Sequence, residues 1–308
     1  MRLIRFLVGD GEPRVGILSQ ADEGGTDTVT VLAAVGSLGE LLALPLAEIR
    51  QICASPAGET VPAAEVQLLA PADGRTEVWA AGVTYERSRT ARMAESEQSA
   101  DIYDRVYGAE RPELFFKSAA WRVSGPGAPV SVRADSSIDV PEPELAVVLN
   151  AAGAVAGYTI CNDMSSRAIE GQTPLYLPQA KTYAGSCAVG PWIVPAWEIP
   201  DPYALTIELT IFRDRAVAWA GSATTSTLHR KIDDLAAWLF RENEFPAGVI
   251  LSTGTSLVPE LPFSLQAGDE VRITISWIGG ALGNPVVQGK AALQSARLVA
   301  TSPVALIY

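Results

Sequence analysis

The chain has 308 residues, 48% of them hydrophobic and 19% charged, which is enough apolar material for one large domain or two and unlike a disordered chain. A formal net charge of −12 sets aside a nucleic-acid backbone or an anionic membrane as partner, because either would be repelled at long range. No apolar run approaches a membrane span, and three cysteines (Cys53, Cys161, Cys187) without metal-type spacing or an even count point to a reducing cytoplasm.

In chain order, Met1–Asp10 reads as an opening strand too short in its apolar stretch to be a secretory core. Val15–Leu18 and Thr28–Leu32 are predicted strands, and Leu38–Ile52 a helix. Ala54–Gly58 then breaks the chain, and a boundary is placed near residue 70. From Glu77–Thr84 onward strands dominate, with Val130–Arg133, Ala146–Leu149, Leu205–Arg213 and Glu270–Ile278 rich in β-branched and apolar residues. The segment from Arg87 to Tyr107 differs: it carries Arg89, Arg92, Glu95, Glu97, Asp101, Asp104 and Arg105 with little to bury, the pattern of a solvated helix. The lone histidine, His229, excludes a multi-histidine zinc centre and reads as a surface or helix-start residue.

The most informative stretch is Val140-Pro141-Glu142-Pro143-Glu144, which runs into Leu145–Leu149. In an extended chain i and i+2 share a face, so the Glu142 and Glu144 carboxylates stand side by side and repel unless a cation lies between them. A turn through Asn150–Gly153 would bring Asp163, at the end of the apolar run Gly157–Asp163, beside them. Three hard oxygen donors would then suit a divalent cation such as Mg²⁺ at about 2.0–2.6 Å. Singly, each residue has a plainer reading: the two glutamates on a solvated strand face, and Asp163 as N-cap of a helix that begins at Met164. A charge of −12 also means that an anionic substrate needs local positive charge, which a cation with Lys117 and Lys181 would supply.

Four blocks occur in order: Pro141–Val148, Gly157–Arg167, Lys181–Trp192 with Lys181-Thr182-Tyr183-Ala184-Gly185, and Thr253-Gly254-Thr255. In order and spacing they resemble the fumarylacetoacetate hydrolase superfamily over roughly residues 75 to 290. Within it, Arg111–Lys117 (Arg-Pro-Glu-Leu-Phe-Phe-Lys) and Pro174–Lys181 look most like the 2-keto-3-deoxy-D-arabinonate dehydratase branch. Val66–Pro71 resembles the stretch that enters the family's catalytic domain.

The resemblance implies an α+β, β-rich fold: a mixed β-roll catalytic domain over residues 71–308 behind a small amino-terminal α/β domain over residues 1–70. It also implies a homodimer and a segment, Arg87 to Tyr107, that closes over substrate. Glu142, Glu144 and Asp163 are the expected ligands of Mg²⁺, with Mn²⁺ or Ca²⁺ as alternatives. Lys181 and Glu113 are the expected acid–base pair. Thr255, Ser88, Arg89, Lys117 and Gln179 are the expected contacts to a small anionic 2-keto acid, with Asn162 behind them.

The implied reaction is dehydration of a 2-keto-3-deoxy sugar acid: a chelated cation acidifies C3–H, an enolate forms, and the C4 hydroxyl leaves. Hydrolases of the superfamily typically carry a histidine where this chain has Ser88, and an apolar residue where it has Glu113, which ranks elimination above hydrolysis. The rivals are a metal-dependent hydrolase or decarboxylase of a 2,4-diketo acid and, from another class, a catalytically silent metal-binding scaffold.

Overall fold

A computed structural model describes residues 1–21, 25–87 and 100–299. The first part of the chain forms strands β1 (Arg2–Val8), β2 (Arg14–Ser19), β3 (Thr28–Val31), β4 (Thr60–Pro62) and β5 (Val66–Leu69). The predicted helix over Leu38–Ile52 is two helices, Leu38–Leu42 and Leu46–Ala54, because Pro45 cannot donate within a helix and pushes the residue before it out of the helical region.

The rest contributes β6 (Glu77–Gly82), β7 (Glu113–Ala119), β8 (Val130–Val132), β9 (Asp139–Val140), β10 (Pro143–Leu149), β11 (Val155–Asp163), β12 (Ser165–Ser166) and β13 (Cys187–Pro195). These are followed by β14 (Thr206–Arg213), β15 (Ala216–Thr224), β16 (Val249–Ser252), β17 (Glu270–Ile275) and β18 (Leu282–Gln288). The long mixed sheet runs β4-β3-β2-β1-β13-β11-β10-β16-β6-β7, with β5 beside β1 and with β16 and β6 parallel. A second sheet runs β15-β14-β17-β18-β8.

Strand β10 is buried along its whole length because both faces of the long sheet are covered. Leu145, Val147 and Leu149 pack with Ile207, Leu209 and Ile273 of the second sheet and with Leu235 and Leu239 of the helix Ile232–Phe240. Ala146 and Val148 pack on the other side, with Leu38, Leu41 and Ile49 of the amino-terminal helices. A continuous apolar run, rather than alternation, is what a strand sandwiched in this way requires, and Leu145–Leu149 is such a run. No described helix is long and apolar enough to cross a membrane.

Ser88 and Arg89 lie outside the described residues, as does residues 88–99 of the charged segment. Its described remainder includes the helix Ala100–Gly108. The Arg230 guanidinium fastens the end of that helix, donating to the carbonyls of Val106 at 3.0 Å, Ala109 at 2.5 Å and Glu110 at 3.1 Å. His229 is exposed and stacks on Tyr107 at 4.3 Å; the following helix starts at Ile232 with Lys231 as its cap residue.

Candidate active site

The hairpin β10–β11 places the three acidic residues. Glu144 pairs with Cys161 and Pro143 with Asn162, and the Asp163 amide donates to the Glu142 carbonyl at 2.9 Å, so the ends of the two strands lie together. One carboxylate oxygen from each of Glu142, Glu144 and Asp163 lies within 4.8 Å of the others, and all three residues are buried. Asp163 is not a helix cap: Ser166 caps the helix Arg167–Glu170.

The charges are met unevenly. Lys181 Nζ bridges Glu142 Oε2 at 2.5 Å and Asp163 Oδ2 at 3.0 Å, while Arg167 reaches Glu142 Oε1 at 2.7 Å. Lys117 Nζ lies 2.6 Å from Asp163 Oδ1. Among the described residues Glu144 has only neutral donors, Ser252 Oγ at 2.6 Å and the Gly254 amide at 2.7 Å. Burial, and then the charges of Asp163 and Glu142 together with Cys161, push its carboxyl well above the usual range. A buried carboxylate that has no cationic partner among the described residues and shares a 4.8 Å cluster with two others is what a hard divalent cation relieves, so the residues fit one.

Around this cluster is a cleft of about 30 Å³, room for an ion or a water, lined also by Gly82, Glu113, Phe115, Glu170, Leu177 and Thr255. Glu113 opens β7 opposite Gly82 of β6. A Cβ on residue 82 would fall 2.0 Å from Glu113 Oε2, so only glycine lets the carboxylate lie across the strand. Gly254 has φ +92°, and a Cβ there would meet Thr84 Oγ1 at 2.0 Å; the turn that presents its amide to Glu144 therefore depends on glycine too.

The expected substrate contacts separate. Lys117 is fully buried, donating to the Met164 carbonyl at 2.9 Å and the Lys181 carbonyl at 2.5 Å besides its pair with Asp163; it stands behind the carboxylates and not in the cleft. A β-bulge turns it there: Val78 faces Ser118 and Trp79 faces Phe116, leaving Lys117 the extra residue. Gln179 is exposed and does not line the cleft, where Lys181 does. Two residues apart on a helix, here Leu177–Lys181, side chains leave in nearly opposite directions. Thr255 lines the cleft, but its hydroxyl donates to the Pro143 carbonyl at 2.9 Å. Asn162 is buried one position from Asp163, with no partner for either amide atom among the described residues.

Two charged residues in the cleft were not singled out by sequence. Arg167 ends the second block and was visible only as part of it. Glu170 follows it by one helical turn; its Oε2 accepts from Ser165 Oγ at 3.0 Å, and the residue is 4% exposed.

Residues 77–287 match the fumarylacetoacetate (FAA) hydrolase C-terminal family, and residues 1–71 match the Rv2993c-like N-terminal family. The probable 2-keto-3-deoxyxylonate dehydratase of Haloferax volcanii is 50% identical over 210 residues, covering 68% of this chain and 72% of that protein. The 2-dehydro-3-deoxy-D-arabinonate dehydratase of Saccharolobus solfataricus is 45% identical over 218 residues, 70% of this chain and 73% of that protein. A solved structure of 2-keto-3-deoxy-D-arabinonate dehydratase complexed with magnesium and 2,5-dioxopentanoate superposes with a TM-score of 0.79 at 35% identity, over 94% of this chain and 100% of that one. With the family match spanning more than half of its length, this chain belongs to the fumarylacetoacetate hydrolase family.

Proposed function

We propose that this chain is a divalent-metal-dependent hydro-lyase that dehydrates a 2-keto-3-deoxy sugar acid, of the type that takes 2-keto-3-deoxy-D-arabinonate to 2,5-dioxopentanoate. The observation that carries the reading is the convergence of Glu142, Glu144 and Asp163 in a buried cleft that also holds Lys181 and Glu113. The dehydratase relatives, and the related structure that contains magnesium and the dioxo acid, support it.

Glu142, Glu144 and Asp163 hold Mg²⁺, or Mn²⁺ or Ca²⁺ in its place. When bound, the ion polarises the 2-keto carbonyl and acidifies C3–H. Glu113, on the cleft wall opposite Gly82, removes the C3 proton. Lys181, whose Nζ bridges the carboxylates of Glu142 and Asp163, donates a proton to the departing C4 hydroxyl, which leaves as water. Phe115 and Leu177 line the same space and keep bulk water from the proton transfers. Arg167 and Lys117 hold Glu142 and Asp163 in place. Ser88 and Arg89, with Thr255, are the candidates for the distal part of the substrate.

Hydrolysis by a histidine-activated water has little footing: the one histidine, His229, is exposed and does not line the cleft. In the same reading the protein is a cytoplasmic homodimer. The domain boundary falls near residue 70, which agrees with the separate family matches over residues 1–71 and 77–287.

The test is product analysis after metal loading. Purified protein stripped with a chelator should be inactive, and Mg²⁺ should restore conversion of 2-keto-3-deoxy-D-arabinonate to a single five-carbon product with one water lost. Cleavage of a 2,4-diketo acid into two fragments, with no turnover of the deoxy sugar acid, would place the chain with the hydrolases.

A further inference from the structure

The proposed dehydration leaves a chemical requirement that Glu113 and Lys181 do not meet. Loss of C3–H and the C4 hydroxyl from a 2-keto-3-deoxypentonate gives 5-hydroxy-2-oxopent-3-enoate, with C3 and C4 doubly bonded and the C5 alcohol intact. The 2,5-dioxo acid is its isomer. Reaching it takes one proton from the C5 carbon and one from its hydroxyl, and adds one to C3 and one to C4. Some group must therefore act as a base at C5, two carbons beyond the position that Glu113 serves, and as an acid at C4.

Glu170 lines the same cleft as Glu113 and Lys181, and Ser165 Oγ, 3.0 Å from its Oε2, fixes its orientation. It stands on the helix Arg167–Glu170, which enters the cleft beside Lys181 and Leu177, whereas Glu113 comes from the β6–β7 side against Gly82. The cleft thus presents two carboxylates from different elements in addition to the three that form the metal cluster. At 4% exposure Glu170 is shielded from bulk water, so a proton it accepts is returned before it is lost.

We propose that Glu170 is a second acid–base residue of this cleft, carrying a proton from C5 to C4 of the substrate after water has left. The inference rests on the dehydratase reading. Glu170 takes a proton from C5; that electron pair becomes the C4=C5 bond, the C3=C4 pair shifts to C2=C3, and the C2 oxygen receives the charge. Glu113 returns its proton to C3 and the C2 carbonyl reforms, leaving an enol at C4=C5. The enol hydroxyl proton passes to Lys181, neutral since it protonated the departing hydroxyl, and the Glu170 proton goes to C4, giving the C5 aldehyde. All three side chains end in their starting states, and no oxidant or reductant is consumed.

The experiment follows 2-keto-3-deoxy-D-arabinonate, dideuterated at C5, by NMR with the Mg²⁺-loaded protein. In the wild type, part of the C5 deuterium should appear at C4 of the aldehyde product. Glu170→Gln should still exchange C3–H with solvent and release water, but accumulate the unsaturated hydroxy acid with its C5 deuterium retained, and aldehyde formation should fall by about 10²-fold or more. Glu170→Asp, which keeps the carboxylate, should recover part of the aldehyde step and guards against a folding defect in the glutamine variant. Aldehyde formation by Glu170→Gln at the wild-type rate, or wild-type product whose C4 hydrogens come wholly from solvent, overturns the inference while leaving the dehydratase reading intact. A wild-type protein that releases no water from the deoxy sugar acid overturns both.

Discussion

Replacing Lys117 by methionine removes the ammonium behind the carboxylate cluster while keeping most of the side-chain volume. The ammonium serves three oxygens, Asp163 Oδ1 at 2.6 Å and the carbonyls of Lys181 and Met164 at 2.5 and 2.9 Å, with no access to water. Taking away one partner of a buried ion pair typically costs about 3–5 kcal/mol, because the remaining charge keeps its desolvation penalty without its compensation. An unfolding entropy of about 2.1 cal/mol/K per residue over 308 residues is about 0.65 kcal/mol/K, so Tm should fall by roughly 5–8 °C. The measurement is a thermal melt in chelator and again in saturating Mg²⁺. The deficit should be largest in chelator and shrink with the cation, which gives Asp163 a new positive partner. The double variant Lys117→Met/Asp163→Asn should recover part of the loss, since the stranded charge is gone. If Lys117→Met melted with the wild type in chelator, Lys117 would carry no buried pair and the account of how Asp163 is held would be wrong.

Three further outcomes are expected. Glu113→Gln and Lys181→Met should each lower kcat by about 10² to 10⁴ while a metal titration still shows an occupied site; Glu113→Gln should also suppress exchange of C3–H with deuterated solvent, which the lysine variant can retain. Gly82→Ala places a methyl 2.0 Å from Glu113 Oε2 and should reproduce the Glu113 defect in kcat without weakening Mg²⁺ binding, so a fall in metal affinity comparable to the fall in kcat would contradict the assigned position. The raised Glu144 carboxyl binds a proton that the unfolded chain has already released, so in the metal-free protein its contribution to stability is lost as pH rises through that pKa. Mg²⁺ competes with that proton, so affinity should tighten with rising pH, with proton release visible in calorimetry across buffers; a pH-independent affinity would refute it.

The parts of the site that could be read from residue order are those governed by local rules. Glu142 and Glu144 share a face because strands have period two, and Asn150–Gly153 is a turn by composition, so the carboxylate cluster could be anticipated once these local rules were joined to the ordered blocks that follow. Lys117 was misplaced into substrate contact because a bulge, invisible in the order of residues, turns it behind the site. Gln179 was expected to contact substrate, but on the five-residue helix that also carries Lys181 the two side chains point apart, and only Lys181 reaches the cleft. Glu170 and Arg167 were missed because their roles depend on partners, Ser165 across a tight turn and Glu142 in the distant lead-in to β10, that no spacing rule specifies. In the amino-terminal region the single split helix had a visible cause in Pro45, which the periodicity of Leu38–Ile52 outweighed.

All three carboxylates of the acidic cluster come from one hairpin and its lead-in, β10–β11, embedded between two apolar layers. The groups that would decide what happens to a chelated acid come from elsewhere: Glu113 from β7, Glu170 and Lys181 from short helices. Lys181 is tied to the hairpin through Glu142 and Asp163, whereas Glu113 and Glu170 stand on elements that can drift separately from it under selection. A lineage can exchange the outer groups, and with them the bond that breaks, without reopening the buried hairpin, and laboratory evolution toward new keto-acid chemistry should find its productive substitutions at positions 82, 113 and 170 rather than in β10 or β11.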